Sequence, residues 1–174
     1  MGHLILNAIG PDQPGLVGKL TGCLHAAGAN ILESRMVNLR GQFAMIILLE
    51  GPDQALAALR SQTQSLAPQL GLKLTLAEPG PAPARTPGVP YRLKTYSLDQ
   101  PGLVHRITDV LRSRGVNIED LEARQESAPF DGTLLFPMEL TLTVPGAVPL
   151  KQLRAELAAV CEELNCDMDL EPAS

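Results

Sequence analysis

The hexapeptide Asp12-Gln13-Pro14-Gly15-Leu16-Val17 recurs as Asp99-Gln100-Pro101-Gly102-Leu103-Val104. A shift of 87 positions keeps matching through Thr21/Thr108, Leu24/Leu111 and Gly28/Gly115, as far as Asn30-Ile31 against Asn117-Ile118, without a gap. A repeat of this length in a chain of 174 residues points to one copied supersecondary unit and to two small domains. Domains of that size bury only about 60% of their unfolded surface, so the halves are expected to share apolar area.

The periodicity along each half gives the same order of elements. His3–Ile9 is a mostly apolar run closed by Gly10-Pro11 and suits a buried strand. Leu16, Val17, Leu20 and Leu24 share one helical face, and Gly28 offers the left-handed residue that ends the helix. Asn30–Leu39, the turn Arg40-Gly41 and the apolar run Phe43–Leu49 read as a hairpin. Pro52-Asp53 opens a second helix carrying Leu56, Leu59, Leu66 and Leu70, and Leu72–Leu76 alternates as a last strand. The half therefore reads βαββαβ. In the second half the same order falls on Tyr91–Leu98, Gly102–Arg114, Asn117–Gln125, Leu134–Val144, Leu150–Leu164 and Asp167–Leu170.

Taking Phe43 as equivalent to Phe136 changes the offset to 93, so about six residues are inserted in the second hairpin, around 126–132. Phe130 in that loop is a candidate contact. Between the halves, 78–90 holds Pro79, Pro81, Pro83, Pro87 and Pro90 and reads as an extended linker unable to join a sheet. At about 3.1 Å per residue it reaches about 40 Å, enough to set the halves side by side. The expected domains are 1–77 and 91–174, with the linker 78–90 between them.

Composition narrows the functional classes. A net charge of -5, 3% aromatic residues and no tryptophan provide neither a basic footprint nor a stacking platform for nucleic acid. No apolar run approaches the ~20 residues of a membrane span, and Met1-Gly2-His3 runs directly into a strand, so a cytoplasmic chain is expected. Cys23, Cys161 and Cys166 are too few and scattered for a disulfide framework or a paired metal site and read as free thiols. His25 and His105 are not repeat partners and read as surface or partly buried imidazoles, with a ligand contact left open for His105. No nucleophile-and-base arrangement is legible, so no enzyme activity, cofactor or metal is expected.

The repeated motif has a physical meaning at a strand-to-helix junction. Asp12 or Gln13 can satisfy early helix amides, Pro14 suits the first turn, and Gly15 lets a ligand approach the backbone. The remaining N–H groups and the positive helix end favour an anion such as an amino acid's carboxylate, and Asp99–Val104 repeats the argument. The side-chain amides of Asn30 and Asn117 can donate to and accept from a zwitterion. The same residues also serve plain capping and helix termination, in which case the motif only shapes the fold.

The βαββαβ order, with Asp-x-Pro-Gly-Leu at the first strand-helix junction and Gly-x-Asn-Ile after that helix, resembles the ACT domain, in both halves. The second half also carries Ala128-Pro129, Gly132-Thr133, Leu135-Phe136, Val144-Pro145, Leu153-Arg154, Leu164-Asn165, Asp167 and Leu170-Glu171-Pro172, a series similar to the tandem-ACT proteins grouped with the glycine cleavage system transcriptional repressor. The resemblance implies an α+β fold of two ferredoxin-like domains, side by side in one eight-stranded antiparallel sheet with helices on one face. It implies an amino-acid-sensing regulator that binds glycine or another small amino acid between the units, at Asp12, Gly15, Leu16, Val17, Asn30 and Ile31 and at Asp99, Gly102, Leu103, Val104, Asn117 and Ile118. It further implies a protein partner of the transcription-factor class, with no direct nucleic acid and no membrane, and it leaves a homodimer open. The alternative is a ligand-independent interaction or dimerisation module. ACT-containing deformylases and phosphatases carry a separate catalytic domain, and none is expected after Ser174.

Overall fold

The computed structural model describes residues 1–80, 87–129 and 132–173. The chain divides into two compact units, Met1–Pro83 and Ala84–Ser174. The first contains β1 (Gly2–Pro11), α1 (Leu16–Ala26), β2 (Asn30–Leu39), β3 (Gln42–Gly51), α2 (Asp53–Leu70) and β4 (Lys73–Ala77). The second contains β5 (Gly88–Ser97), α3 (Leu103–Ser113), β6 (Asn117–Ala123), β7 (Glu126–Ser127), β8 (Leu134–Leu135), β9 (Met138–Pro145), α4 (Leu150–Glu163) and β10 (Cys166–Pro172). The main ladders are all antiparallel and have the same order, β2-β3-β1-β4 and β6-β9-β5-β10, which is the ferredoxin-like βαββαβ arrangement. The eight strands are hydrogen-bonded as two sheets of four.

The duplication is exact in register. Leu6 faces Ile47 across β1 and β3, and Leu93 faces Leu140 across β5 and β9, so the offset is 87 in one strand and 93 in the next. This agrees with the six-residue insertion and with Phe43 matching Phe136, whose N–H donates to Ser97 O at 2.9 Å. The insertion does not lengthen the hairpin as one strand. It folds into the short ladder β7–β8, and the expected strand 134–144 is divided into β8 and β9. Phe130 and Asp131 of that loop lie outside the described residues, as do 81–86 of the expected linker. At the linker's other end Gly88, Val89 and Pro90 belong to β5 and pair with Pro145, Val144 and Thr143. Pro90 is tolerated because its nitrogen lies on the side of β10, whose ladder begins only at Tyr91, and its carbonyl accepts from Ala173 N at 3.0 Å.

Both helix ends follow the expected chemistry. After α1, Gly28 (φ 83) and Ala29 donate to His25 O and Leu24 O at 2.9 and 3.1 Å, a paired motif that closes the last turn. Gly115 and Val116 do the same to Arg112 O and Leu111 O, both at 3.0 Å. The turn between β2 and β3 has positive φ at Arg40 and Gly41, the two-residue geometry that suits strand twist. Each β2-type strand also carries a bulge at the same place, between Ile31 and Glu33 and between Ile118 and Asp120.

Burial alternates along β1, β3, β5 and β9, and each core lies on the helix side of its sheet. Leu4, Leu6, Ala8, Phe43, Ile47 and Leu49 pack with Leu16, Leu20, Leu24, Leu56 and Leu59 of the helices. Leu93, Leu140 and Leu142 pack with Ile107, Leu111, Leu153 and Leu157. The opposite face of each sheet carries no helix-side core residue. In the second unit α3 and α4 are also joined by Arg114, whose Nε donates to Glu156 Oε2 at 2.7 Å.

Leu140 is fully buried, so Leu140→Ala should destabilise the second unit by about 2–5 kcal/mol in denaturant titration. The hydrogen bond from Arg114 holds the Glu156 carboxyl below its ordinary value. Its contribution is therefore present above the unfolded pKa of about 4.3 and is lost as pH falls through the lower folded value. Glu156→Gln should lower the melting temperature at neutral pH and flatten its fall in acid, which a series of melts between neutral and acid pH measures.

Candidate functional site

The repeated motif forms the entry to α1 and to α3. Gly15 and Gly102 are the N-caps, at φ 80 and φ 91, a left-handed backbone that side chains with a Cβ adopt at a cost. A Cβ built on either glycine would meet nothing within 4 Å, so the approach to the backbone is open. Neither helix has a side-chain cap. The expectation that Asp12 or Gln13 would cap early amides is thus not what the structure has.

These side chains hold the fold instead. Asn38 Nδ2 donates to Asp12 Oδ2 at 2.6 Å, while Asp12 N donates to Gly41 O at 2.8 Å, which ties the loop to the β2–β3 turn. Gln125 Nε2 donates to Asp99 Oδ2 at 2.5 Å, and Asp99 N donates to Leu134 O at 3.0 Å. Asn38 and Gln125 are repeat partners at the same offset of 87, so both copies keep the bond. Gln100 Nε2 donates to Leu164 O at 2.5 Å and so closes the end of α4. The two aspartates remain exposed, while Leu16 and Leu103 are core residues, each 3% exposed, and offer a ligand only their backbone.

What the motif leaves for a ligand is backbone. Leu16 N is taken by Gln13 O and Lys19 N by Gly15 O, which leaves the Val17 and Gly18 amides without an intrahelical partner at the positive helix end. Arg106 N bonds Gly102 O in the same way, and the Val104 and His105 amides are the equivalents. Val17 is exposed, whereas Val104 is half-buried against its core.

Asn30 and Asn117 stand elsewhere. An eleven-residue helix of about 16 Å separates each from the motif of its own unit, so one unit alone does not gather the expected set. Asn30 and Ile31 line an open depression of about 380 Å³ with Gly18, Thr21, Gly22 and His25 of α1. Gly18 and Gly22 leave it uncrowded, since neither carries a side chain and the space a Cβ at either would enter is empty to 4 Å. In the second unit these positions are His105 and Asp109, and Arg112 closes on Asp109 at 2.7 and 3.0 Å. That guanidinium holds the Asp109 carboxyl below its ordinary value. Asn117 Nδ2 is itself engaged, donating to Glu119 Oε1 at 2.8 Å; the equivalent of Glu119 is Leu32, and the residue paired with Asn30 across the ladder is Glu50 where Asn117 has Thr143.

Reading the motif alone misses three groups. Asn38 and Gln125 were legible as amides at one repeat position. Gly18 and Gly22, four apart, were legible as a bare helix face. Ser97, 7% exposed and two residues before the second motif, has no hydrogen-bond partner for Oγ among the described residues. No periodicity marks it, because a serine on a buried strand face resembles any small residue. His25 and His105 are exposed, Cys161 and Cys166 are buried, and burial pushes the Cys161 thiol up to about 12. Among the described residues no group of three His, Cys, Asp or Glu could hold a metal ion, and no helix is long and apolar enough to cross a membrane.

The model of the ACT domain matches residues 2–76, which is the six-element course of the first unit. The second unit is the same domain by its repeat, strand order and register. The glycine cleavage system transcriptional repressor of Escherichia coli is 25% identical over 163 residues, covering 94% of this chain and 86% of that protein. A crystal structure of a protein of unknown role from Galdieria sulphuraria is 28% identical, with a TM-score of 0.81 and 99% of both chains covered. A structure provisionally named as a glycine cleavage system transcriptional repressor, 23% identical, has a TM-score of 0.74 and shares the fold over 99% of this chain. The first unit matches the ACT domain, the chain has the tandem ACT-domain fold, and it resembles the glycine cleavage system transcriptional repressors along nearly its whole length.

Proposed function

We propose that this chain is a non-enzymatic regulatory sensor that binds glycine or another small amino acid and couples its occupancy to a protein partner. The observation that carries the reading is the pair of helix starts with left-handed glycine caps, free amides and open approach. An α-carboxylate fits such a start, because N–H groups and helix dipole favour negative charge there. Asn30, at the edge of an uncrowded depression, supplies an amide for the ammonium or carboxylate of a zwitterion. In this reading the first unit takes the ligand more readily, since His105, Asp109 and Arg112 occupy the matching surface in the second. Candidate contacts then fall in two separate places on each unit, at the helix start on Gly15 and Val17 or on Gly102 and Val104, and past the helix end on Asn30 and Ile31 or on Asn117 and Ile118, while Asp12 and Asp99 shape the loop. The similarity to transcriptional repressors supports a partner of the transcription-factor class, and a cytoplasmic setting follows from that role.

The bonds made by Asp12, Gln100 and Asp99 favour a second reading, an interaction module whose motif only builds the fold. Two measurements separate them. Glycine has five non-hydrogen atoms, and a ceiling near ~1.5 kcal/mol per atom bounds its affinity at about 7.5 kcal/mol, so micromolar to millimolar binding is expected. Calorimetry and melting shifts with a panel of amino acids at millimolar concentration check this; no heat and no shift for any of them leaves only the module. Asn30→Ala should weaken binding by about tenfold with an unchanged melting temperature, and Asn117→Ala should weaken it less. Equal affinity in both variants and the parent removes the proposed site.

A further inference from the structure

Three positions around the end of α4 differ together between the units. Asn165 stands left-handed at φ 46 and donates to Glu162 O at 3.1 Å, with Leu164 as the cap. The first unit closes in the same way at Gly71, whose N–H donates to Pro68 O at 3.2 Å while Leu72 N donates to Ala67 O at 3.0 Å. A turn of this kind brings the side chain four residues before the left-handed residue against the side chain that follows it. In the first unit these are Ala67 and Leu72; in the second both are cysteines, Cys161 and Cys166, and both belong to the core. Across the ladder Cys166 is paired with Ser97, where the first unit has Gly10. A Cβ at Gly10 would stand 2.9 Å from the Leu72 side chain, so leucine and glycine go together there, as cysteine and serine do here. Directly paired residues hold their Cβ atoms about 5 Å apart on one sheet face, which sets the unpartnered Ser97 hydroxyl beside the Cys166 sulfur. Cys166 Sγ itself donates only to Asp167 O, at 3.4 Å.

We propose that Cys161 and Cys166 form a modification site at which a hydroperoxide converts the two thiols into one disulfide, with Cys166 as the attacking sulfur and Ser97 as the hydrogen-bond donor to it. With hydrogen peroxide the Cys166 thiolate attacks one oxygen, an S–O bond forms and the O–O bond breaks, and the departing hydroxide takes up the proton that the thiol had released. The Cys161 sulfur then attacks the sulfenic sulfur of Cys166; the S–S bond forms, the S–O bond breaks, and a second water leaves with the Cys161 proton. Two thiols lose two electrons and the peroxide is reduced to two waters. Burial, and then the neighbouring Cys166 thiol, push Cys161 up to about 12, so it keeps its proton until the second step. Ser97 supplies the donor that a thiolate requires where water is excluded. Access lies at the exposed Asn165 turn, since β10 is the last strand of its sheet and hydrogen peroxide is little larger than water. The pair brackets Leu164, whose carbonyl accepts from Gln100 Nε2 at 2.5 Å, so the disulfide forms in the turn that anchors the second motif.

The test uses the full chain, reduced and then exposed to hydrogen peroxide. Both cysteines lie beyond Arg154 in a stretch without lysine or arginine, so one tryptic peptide carries the pair. Mass spectrometry without reductant should show it lose two hydrogen atoms, and reductant should restore them. Cys161→Ala, the residue the first unit has there, should leave Cys166 as a sulfenic acid that dimedone labels, and Cys166→Ala should leave Cys161 unlabelled. Ser97→Ala should slow disulfide formation by about tenfold with unchanged circular dichroism, through loss of a hydrogen bond to a charged sulfur. Cys23→Ala should change nothing. A parent peptide that still holds both thiols once its Met168 has gained oxygen overturns the proposal, and this reading depends on no variant. A cross-link to Cys23 in place of the internal disulfide, dimedone on Cys161, or a rate indifferent to Ser97→Ala overturns it as well.

Discussion

Two helices cover one face of a four-stranded sheet and no more. In a βαββαβ unit both crossovers fall on the same side, since right-handed connections carry the chain back over the sheet in one sense. The burial of alternate residues follows: Leu4, Leu6 and Ala8 are in the core, and Ile5, Asn7 and Ile9 are on the side the helices never reach. The packed side is under tight constraint in both units, because close-packed side chains tolerate little change in volume. The other side is free to diverge once the unit has been copied. It did so toward ion pairs such as Arg92–Glu139 in one copy and toward a mixture of aliphatic and polar residues in the other.

The same separation of constraint operates within the repeated hexapeptide. Asp12 and Asp99 anchor the loop through an amide on the neighbouring strand, and Gln100 reaches the end of α4. These bonds account for retention of the polar residues without a ligand. The glycine is accounted for by its own backbone, at φ 80 and φ 91, a left-handed conformation that residues with a Cβ adopt at a cost. What distinguishes the two copies lies one turn further on, where Gly18 and Gly22 leave the surface beside Asn30 clear and His105 and Asp109 fill its counterpart.

Most of the fold was legible in the sequence because local signals and the repeat agreed. Gly28 and Gly115 end their helices, Arg40-Gly41 makes its turn, and the shift from 87 to 93 located the insertion. The misread parts involve partners distant in sequence. Asp12 looked like a cap because its nearest amides are those of the helix; its bond is to Asn38, across the sheet edge. Pro90 looked incompatible with a strand because the rule concerns its missing donor, and only the ladder shows on which side that donor would have pointed. The site was legible in its helix starts and not in its asymmetry, which depends on residues outside the motif.

The bulge between Ile31 and Glu33 recurs between Ile118 and Asp120, although the extra residue is Leu32 in one copy and Glu119 in the other. An irregularity at the same rung of both sheets was already present in the single unit from which they descend. It is therefore older than the duplication, while the chemistry of its side chain is younger. The backbone path leading out of the first helix of each unit is ancestral, and the residues displayed along it are where the two copies have acquired separate histories.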